Sequence, residues 1–190
     1  MRIVVFASGR GSNFEAIQEN IAKGILPDEI TALITDNADA QAIAIARRYK
    51  IPAYIVETDK RTGLLSADEE RRIMQVLKNI SFDIIVLAGF MHIFSGEFLE
   101  RLNGCRIVNI HPSLLPQYKG LNPHKRVIAD AVRFSGCTVH FVNDKVDSGD
   151  IICQQLVEVE KEDNEETLAS RILKYEHIIY SEALNMIRDV

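Results

Sequence analysis

The segment around Asn109 and His111 holds two side chains that can act together in acyl-group chemistry. Residues 107–111 alternate in the manner of a β-strand, so Asn109 and His111 lie on the same face. Pro112 has no N–H for a strand ladder and favours an extended His111, which predicts that the imidazole lies at the end of the strand. There the amide can donate to a developing oxyanion and the imidazole can transfer a proton.

A carboxylate that could serve this imidazole is Asp147, which follows 36 residues after His111 in the sequence Val-Asp-Ser-Gly-Asp. A carboxylate beside an imidazole favours its charged form and raises its pKa. Taken singly, each residue also has a structural explanation: Asn109 and Asp147 suit turns, and His111 suits a hydrogen-bonded interior position. These explanations are weaker for the three residues as a set.

A glycine-containing loop, Ser8-Gly-Arg-Gly-Ser-Asn13, follows the first apolar run and leads into a helix-like segment. Free backbone N–H groups and the positive end of a helix attract anions. Gly9 and Gly11 allow a tight backbone, Ser12 is the expected N-cap, and Asn13 offers side-chain donors. The spacing fits neither the dinucleotide fingerprint nor the triphosphate P-loop. Phosphate binding and a simple tight connection explain these residues equally well.

The elements that position these residues alternate along the chain. The pattern predicts strands at residues 3–7, 30–34, 53–56, 84–88 and 106–110, and helices at 12–23, 38–49, 67–78 and 123–134. It also predicts a hairpin of strands 138–142 and 151–157 and a last helix over 164–187. This order is typical of an α/β fold with a Rossmann-like, mostly parallel sheet flanked by helices. Ligands of such sheets collect at the carboxyl ends of the strands, where the glycine loop and His111 are expected.

Composition limits the classes of partner. The 190 residues are 47% hydrophobic and 26% charged, as in ordinary globular proteins, and the net charge of -5 argues against nucleic acid. The three cysteines lack Cys-x-x-Cys spacing and are expected to be free thiols. We see no leader peptide and no apolar stretch long enough for a bilayer, so we expect a cytoplasmic protein without a membrane partner. Whether it is a monomer or a homodimer stays open.

Histidines elsewhere in the chain do not suggest a metal site. His92, His124 and His140 form no close pair with a cysteine or a carboxylate on an evident helical face. We therefore expect isolated hydrogen-bonding histidines and no metal.

The motifs together resemble those of the folate-dependent formyltransferases. The resemblance is carried by Asn-Ile-His-Pro-Ser-Leu-Leu-Pro at 109–116, by Val-Asp-Ser-Gly-Asp at 146–150 and by the Ser-Gly-x-Gly-Ser-Asn loop, and it covers nearly the whole chain. The loop is similar to the phosphate loop of the branch that acts on phosphoribosylglycinamide. The resemblance implies one formyltransferase domain over residues 1–190. It also implies transfer of a formyl group from 10-formyltetrahydrofolate to the amine of phosphoribosylglycinamide in purine biosynthesis, without a metal.

The same resemblance implies roles for particular residues. Asn109, His111 and Asp147 would be catalytic. The substrate-binding residues would be Gly11, Ser12 and Asn13 at the phosphate and Glu176 in the last helix. The segment 87–94 resembles a folate-contacting wall, and 136–144 resembles the hairpin before the catalytic Asp. The residues expected to contact the folate are Met91, His92, Ile93, Phe94, Asn109, Asn143 and Asp144.

The chain departs from the family pattern at four places. His92 stands where the family commonly has Arg, and Gly-Leu-Asn-Pro-His at 120–124 replaces Gly-Leu-His-Thr-His. A folate-contacting Arg falls on Ser66, for which Arg61 is a candidate substitute. Leu173 occupies a usually polar position three residues before the substrate-binding Glu. The folate contacts and the loop after His111 are therefore the least defined parts of the predicted site.

Four alternative functions share parts of this pattern. A methionyl-tRNA formyltransferase would carry a further C-terminal domain, and a formyltetrahydrofolate hydrolase an N-terminal regulatory domain. A sugar-amine formyltransferase would use the same three catalytic residues, but the glycine loop favours a phosphoribosyl substrate. A non-catalytic nucleotide- or folate-binding module is disfavoured because all three catalytic residues are present.

Overall fold

The computed structural model of the protein describes residues 1–59, 63–102 and 104–188. The candidate folate contact Arg61 lies outside the described residues. The strands in chain order are β1 (Arg2–Phe6), β2 (Glu29–Thr35), β3 (Ala53–Ile55), β4 (Gly63–Leu64), β5 (Ile84–Leu87), β6 (His92–Ile93), β7 (Arg106–His111), β8 (Phe134–Phe141) and β9 (Ile151–Glu158). The helices are α1 (Ser12–Ala22), α2 (Gln41–Arg48), α3 (Ala67–Leu77), α4 (Gly96–Arg101), α5 (Pro123–Ala129) and α6 (Glu165–Met186).

A seven-stranded sheet has the strand order β3-β2-β1-β5-β7-β8-β9. Strand β1 pairs in parallel with β2 and β5, and β2 pairs in parallel with β3, whereas β8 and β9 are antiparallel. All four residues of β5 are buried, as their continuous apolar run predicts for a parallel strand covered on both faces. The predicted α/β class, mostly parallel sheet, hairpin and final helix are confirmed.

The chain divides into two compact units, Met1–Val108 and Asn109–Val190. The first unit holds the parallel pairs and helices α1 to α4. In the second unit, α6 packs against the β8–β9 hairpin. It buries the apolar positions that the sequence pattern predicted, Leu168, Ile172, Ile179 and Leu184. A single domain over residues 1–190 stays a prediction.

The sequence pattern was wrong about the end of α5. A helix was predicted over 123–134, but α5 ends at Ala129 and the backbone of Ala131 turns left-handed with a φ of 48°. Phe134 already belongs to β8, where it pairs with Glu158. Pairing with a distant strand therefore outweighed the local helical pattern. The pattern also missed α4, which begins where the Ser95 side chain accepts the N–H of Phe98, and the small β4–β6 sheet.

The described helices include none that is both long enough and apolar enough to span a bilayer.

Candidate active site

His111 lies at the end of β7, as predicted, and is 6% exposed. Its Nδ1 is 3.2 Å from Oδ2 of Asp147, and its Nε2–H donates to the backbone carbonyl of Tyr118 at 2.9 Å. A carbonyl and an ionised carboxylate only accept hydrogen bonds. The doubly protonated imidazolium is therefore the form that satisfies both contacts.

His140 connects the other two predicted catalytic residues, a role that sequence reasoning missed. Its Nε2 lies 3.3 Å from Asn109 Nδ2 and 3.6 Å from Asp147 Oδ1, and its Nδ1–H donates to the Phe141 carbonyl at 2.8 Å. Asn109, His111, Asp147 and His140 thus form one cluster. His140 makes hydrogen bonds, as expected, but the expectation that it is isolated was wrong, because it lies against Asn109 and Asp147. In the sequence, only the strand-like alternation of residues 138–142 indicated the face of the strand on which the His140 side chain lies.

The electrostatics of the His111–Asp147 pair are set by burial as well as by charge. Burial lowers the pKa of His111, and the opposing effects of Asp147 and of the Tyr118 carbonyl do not outweigh it. Sequence reasoning expected Asp147 to raise the pKa of His111, and the contribution of Asp147 has that sign. The net shift is downward because burial outweighs this contribution, and the desolvation of a buried strand end was not visible in the sequence.

The carboxyl group of Asp147 stays ionised in this environment. Burial alone would raise its pKa. The nearby His140 imidazole, the attraction of His111 and the Gly120 N–H at 2.8 Å outweigh burial and hold the pKa below its ordinary value. An ionised Asp147 can therefore orient His111 at neutral pH.

The loop that carries Asp147 depends on a glycine next to it. Asp147 has a φ of 47°, a left-handed conformation that Asp tolerates better than most residues. A Cβ added at Gly149 would lie 1.8 Å from the backbone oxygen of Phe141. Only glycine therefore lets this loop close against the end of β8.

A buried hydroxyl supports the loop after His111. Thr138 Oγ1 donates to the Ser113 carbonyl at 2.6 Å. It accepts from the Leu115 N–H at 3.0 Å and from Gln154 Nε2 at 2.9 Å. The loop is thus held to both strands of the hairpin before it reaches Tyr118.

The glycine loop in the first unit has a different helix cap from the predicted one. Gly11, with a φ of 73°, is the N-cap of α1, and Ser12 is the first helical residue. A Cβ at Gly11 would lie 2.8 Å from the Cβ of Ala42, which explains why glycine occupies the cap. Gly11 has no side chain that could cap this helix start. The arrangement suits an anion bound at the helix start.

The structure brings the glycine loop and the segment 89–94 together. The Ser8 N–H donates to the Gly89 carbonyl at 3.1 Å, and the Met91 N–H donates to Ser8 Oγ at 3.0 Å. Asn37 Nδ2 donates to the Ser8 carbonyl at 3.2 Å. Ser8 therefore ties the loop after β1 to the loop after β5, a role that sequence reasoning did not assign.

The predicted folate segment alternates between exposed and buried side chains. Met91 and Ile93 are 46% and 40% exposed, whereas His92 and Phe94 are buried. His92 Nε2 lies 3.0 Å from Asp36 Oδ2 and 3.1 Å from Thr58 Oγ1. The Phe94 ring stacks on Phe98 at a centroid distance of 4.6 Å. His92 and Phe94 thus anchor the segment, and Met91 and Ile93 are its accessible apolar side chains.

The remaining predicted residues have varied surroundings. Glu176 is buried in α6. Burial raises the pKa of the Cys137 thiol, and the charge of Glu176 raises it further, so Glu176 lies near β8. Asn143 and Asp144 are exposed, and Asn143 Oδ1 accepts the Lys145 N–H at 3.0 Å.

Ser66, the position of the missing Arg, has a structural role in this chain. It is the N-cap of α3 in a capping box with Glu69. Over the described ranges, we find no group of three or more His, Cys, Asp or Glu residues arranged for a metal ion.

A histidine and an ionised carboxylate beside an amide donor, carried on a Rossmann-like fold, define an acyl-transfer class of site. Comparison with known proteins specifies the class. A family model described as formyl transferase matches residues 1–184. The chain belongs to the formyl transferase family.

Several relatives have narrower names. The phosphoribosylglycinamide formyltransferase of Haemophilus influenzae is 37% identical over 179 residues, covering 94% of this chain and 83% of that protein. The trifunctional purine biosynthetic protein adenosine-3 of Gallus gallus is 38% identical over 187 residues, 98% of this chain. The chain spans only 18% of the length of that relative. The crystal structure of glycinamide ribonucleotide transformylase 1 from Symbiobacterium toebii superposes with a TM-score of 0.89 at 36% identity, over 97% of this chain and 85% of that one.

Proposed function

We propose that the protein transfers the formyl group of 10-formyltetrahydrofolate to the amine of phosphoribosylglycinamide in de novo purine biosynthesis. The products are the N-formyl compound and tetrahydrofolate. The observation that carries the proposal is the cluster of Asn109, His111, Asp147 and His140 in a member of the formyl transferase family. The names of the relatives support phosphoribosylglycinamide as the acceptor.

The proposed reaction is direct acyl transfer. The substrate amine attacks the formyl carbon, and a C–N bond forms as the carbonyl oxygen becomes an oxyanion. The Asn109 amide and the charged His111 stabilise that oxygen. The oxyanion then re-forms the carbonyl as the bond from the formyl carbon to the folate nitrogen breaks, and His111 gives its proton to the departing nitrogen. The attacking amine releases its proton to water, from which His111 is reprotonated. Asp147 orients the imidazole, and no metal or covalent enzyme intermediate takes part.

Binding of the two substrates is assigned to the predicted residues. Gly11, Ser12 and Asn13 hold the phosphate at the start of α1, and Glu176 engages the sugar hydroxyls or the amide portion. Met91 and Ile93 offer apolar contacts to the folate. The other folate-binding residues are His92, Phe94, Asn109, Asn143 and Asp144.

The proposal also covers the partners, the location and the oligomeric state of the protein. The partners are small molecules, with neither nucleic acid nor membrane involved, and the protein acts in the cytoplasm as a monomer or homodimer.

The test is formyl transfer by purified protein from 10-formyltetrahydrofolate. The acceptors to compare are phosphoribosylglycinamide, water, free amino sugars and methionyl-tRNA. We expect efficient transfer to phosphoribosylglycinamide alone. The matched control is His111→Ala protein, which separates turnover by this site from a contaminating activity. Preferred transfer to another acceptor would contradict the proposal, and so would folate binding without turnover.

A further inference from the structure

A short segment after the catalytic histidine contacts both members of the His111–Asp147 pair. The carbonyl of Tyr118 accepts the His111 Nε2–H at 2.9 Å. Two residues later, the Gly120 N–H donates to Asp147 Oδ2 at 2.8 Å. The orientation of this segment, residues 118–120, therefore sets how the imidazole and the carboxylate face each other.

The segment has an unfavourable backbone conformation. Tyr118 has a φ of 55°, and Asn122, two residues after the segment, has a φ of 52°. Gly120 has a φ of 77°, which glycine adopts without strain. Left-handed conformations are costly for residues with a side chain, so they persist only where surrounding contacts enforce them. Such contacts must come from outside the segment.

Helix α5 and its C-cap residue Asp130 provide such contacts. Arg126 donates to the Lys119 carbonyl at 2.6 Å, and its guanidinium lies 5.4 Å from the centroid of the Tyr118 ring. The Tyr118 hydroxyl donates to Asp130 Oδ2 at 3.0 Å. Arg126 and Asp130 are four residues apart and therefore lie on one face of the helix end.

We propose that Arg126 and Asp130 are positioning residues: by holding Tyr118 and Lys119, they keep the Tyr118 carbonyl on His111 and the Gly120 N–H on Asp147. Neither residue needs to touch a substrate. The expected effect on kcat rests on the proposed formyl transfer, whereas the expected effect on the contact between His111 and Tyr118 does not.

The kinetic test compares Arg126→Ala, Arg126→Lys and Asp130→Ala with Arg133→Ala. Arg133 is the matched control because it is also exposed and also covers an aromatic ring, that of Phe134 at 5.2 Å. We expect kcat to fall about tenfold in Arg126→Ala and the KM for folate to stay within about twofold. Arg126→Lys should recover part of kcat, because it keeps a donor but loses the planar stacking group. The double variant with Asp130→Ala should lose less than the product of the single losses.

A measurement without substrate separates this inference from the proposed function. In wild-type protein, NMR should show the His111 Nε2 proton protected from solvent exchange by its bond to Tyr118. In Arg126→Ala that exchange should be faster, by about tenfold, and in Arg133→Ala unchanged. If wild type fails to transfer formyl groups but Arg126→Ala exchanges faster, the proposed function fails and the positioning role stands. Unchanged exchange in Arg126→Ala would overturn the positioning role, even if kcat falls.

Discussion

His111 is held between two acceptors in a buried environment. The Asp147 carboxylate and the Tyr118 carbonyl favour the charged imidazole, while burial lowers its pKa below the ordinary value. A lower pKa makes the imidazolium a stronger acid. In the proposed reaction, in which His111 protonates the departing folate nitrogen, this favours proton release.

The first prediction concerns the catalytic residues themselves. Asn109→Ala and His111→Ala should each lower kcat by about 10²-fold or more, because one removes an oxyanion donor and the other the proton donor. Asp147→Asn should leave the fold intact and lower turnover sharply. Losses in double variants should be less than multiplicative, since the residues act as a unit. Steady-state kinetics with circular dichroism as the folding control will check this, and near-wild-type turnover by folded His111→Ala would contradict the mechanism.

The second prediction concerns pH. The proposed active form needs protonated His111, so the limb of kcat/KM that reports His111 should fall as pH rises through a pKa that burial holds below the ordinary histidine value. The charge of Asp147 raises that pKa, so Asp147→Asn should move the limb to lower pH. NMR titration of His111 in both proteins is the direct measurement. A shift to higher pH in Asp147→Asn would refute the assigned role of the carboxylate.

Elements position these residues through a few close backbone contacts. Strand β7 ends at His111, and the loop before β9 folds back so that Asp147 meets it. In the first unit, Ser8 joins the glycine loop to the segment after β5. Gly149 permits the loop before β9 to close, and Gly11 permits the close-packed start of α1 after the glycine loop.

The third prediction concerns Gly149. An added Cβ would lie 1.8 Å from the Phe141 carbonyl oxygen, which is backbone and cannot rotate away. Gly149→Ala should displace Asp147 and lower kcat by at least about tenfold, with a loss of roughly 1–3 kcal/mol in the free energy of unfolding. Kinetics and urea unfolding measure the two effects. Asp150→Ala, an exposed neighbour, is the control, and equal behaviour of the two variants would argue against the steric explanation.

The fourth prediction concerns Gly11. Its positive φ and the nearby Ala42 side chain should make Gly11→Ala cost roughly 1–3 kcal/mol of stability. It should also raise the KM for phosphoribosylglycinamide more than that for the folate, because the loop is assigned to the phosphate. Gly9→Ala is the control, since no atom lies within 4 Å of its added Cβ. Equal changes in both KM values would contradict separate subsites.

At the scale of the whole molecule, the Rossmann-like sheet is of a kind that also occurs in dinucleotide-binding proteins, but the glycine loop is not of their kind. The glycine loop lacks the Gly-x-Gly-x-x-Gly fingerprint of dinucleotide-binding proteins. Helix α1, which follows the loop, starts at one close-packed glycine, Gly11. We therefore expect this loop and the segment 89–94, rather than the sheet, to decide the class of ligand.

The fifth prediction follows from that difference. Isothermal titration calorimetry should detect binding of a reduced folate and no tight binding of NAD. Affinity for NAD below about 1 μM, together with no response to folate, would overturn the assignment of ligand class.

The sequence by itself determined the class of fold and the end of β7. The continuous apolar run of β5 indicates a strand that is buried on both faces. Pro112 ends β7 beside His111. Both features can be predicted from the sequence because they depend on residues that are near neighbours in the chain. Sequence motifs likewise brought Asn109, His111 and Asp147 into one hypothesis, and the structure places them in one cluster.

Only the tertiary structure decided how that cluster works. His140 reaches Asn109 across 31 residues of chain, and the Tyr118 carbonyl reaches His111 through a left-handed turn. The net pKa of His111 depends on how much protein surrounds it. Cross-strand register, loop closure and desolvation depend on distant segments meeting in space, and local patterns of residue type do not encode them.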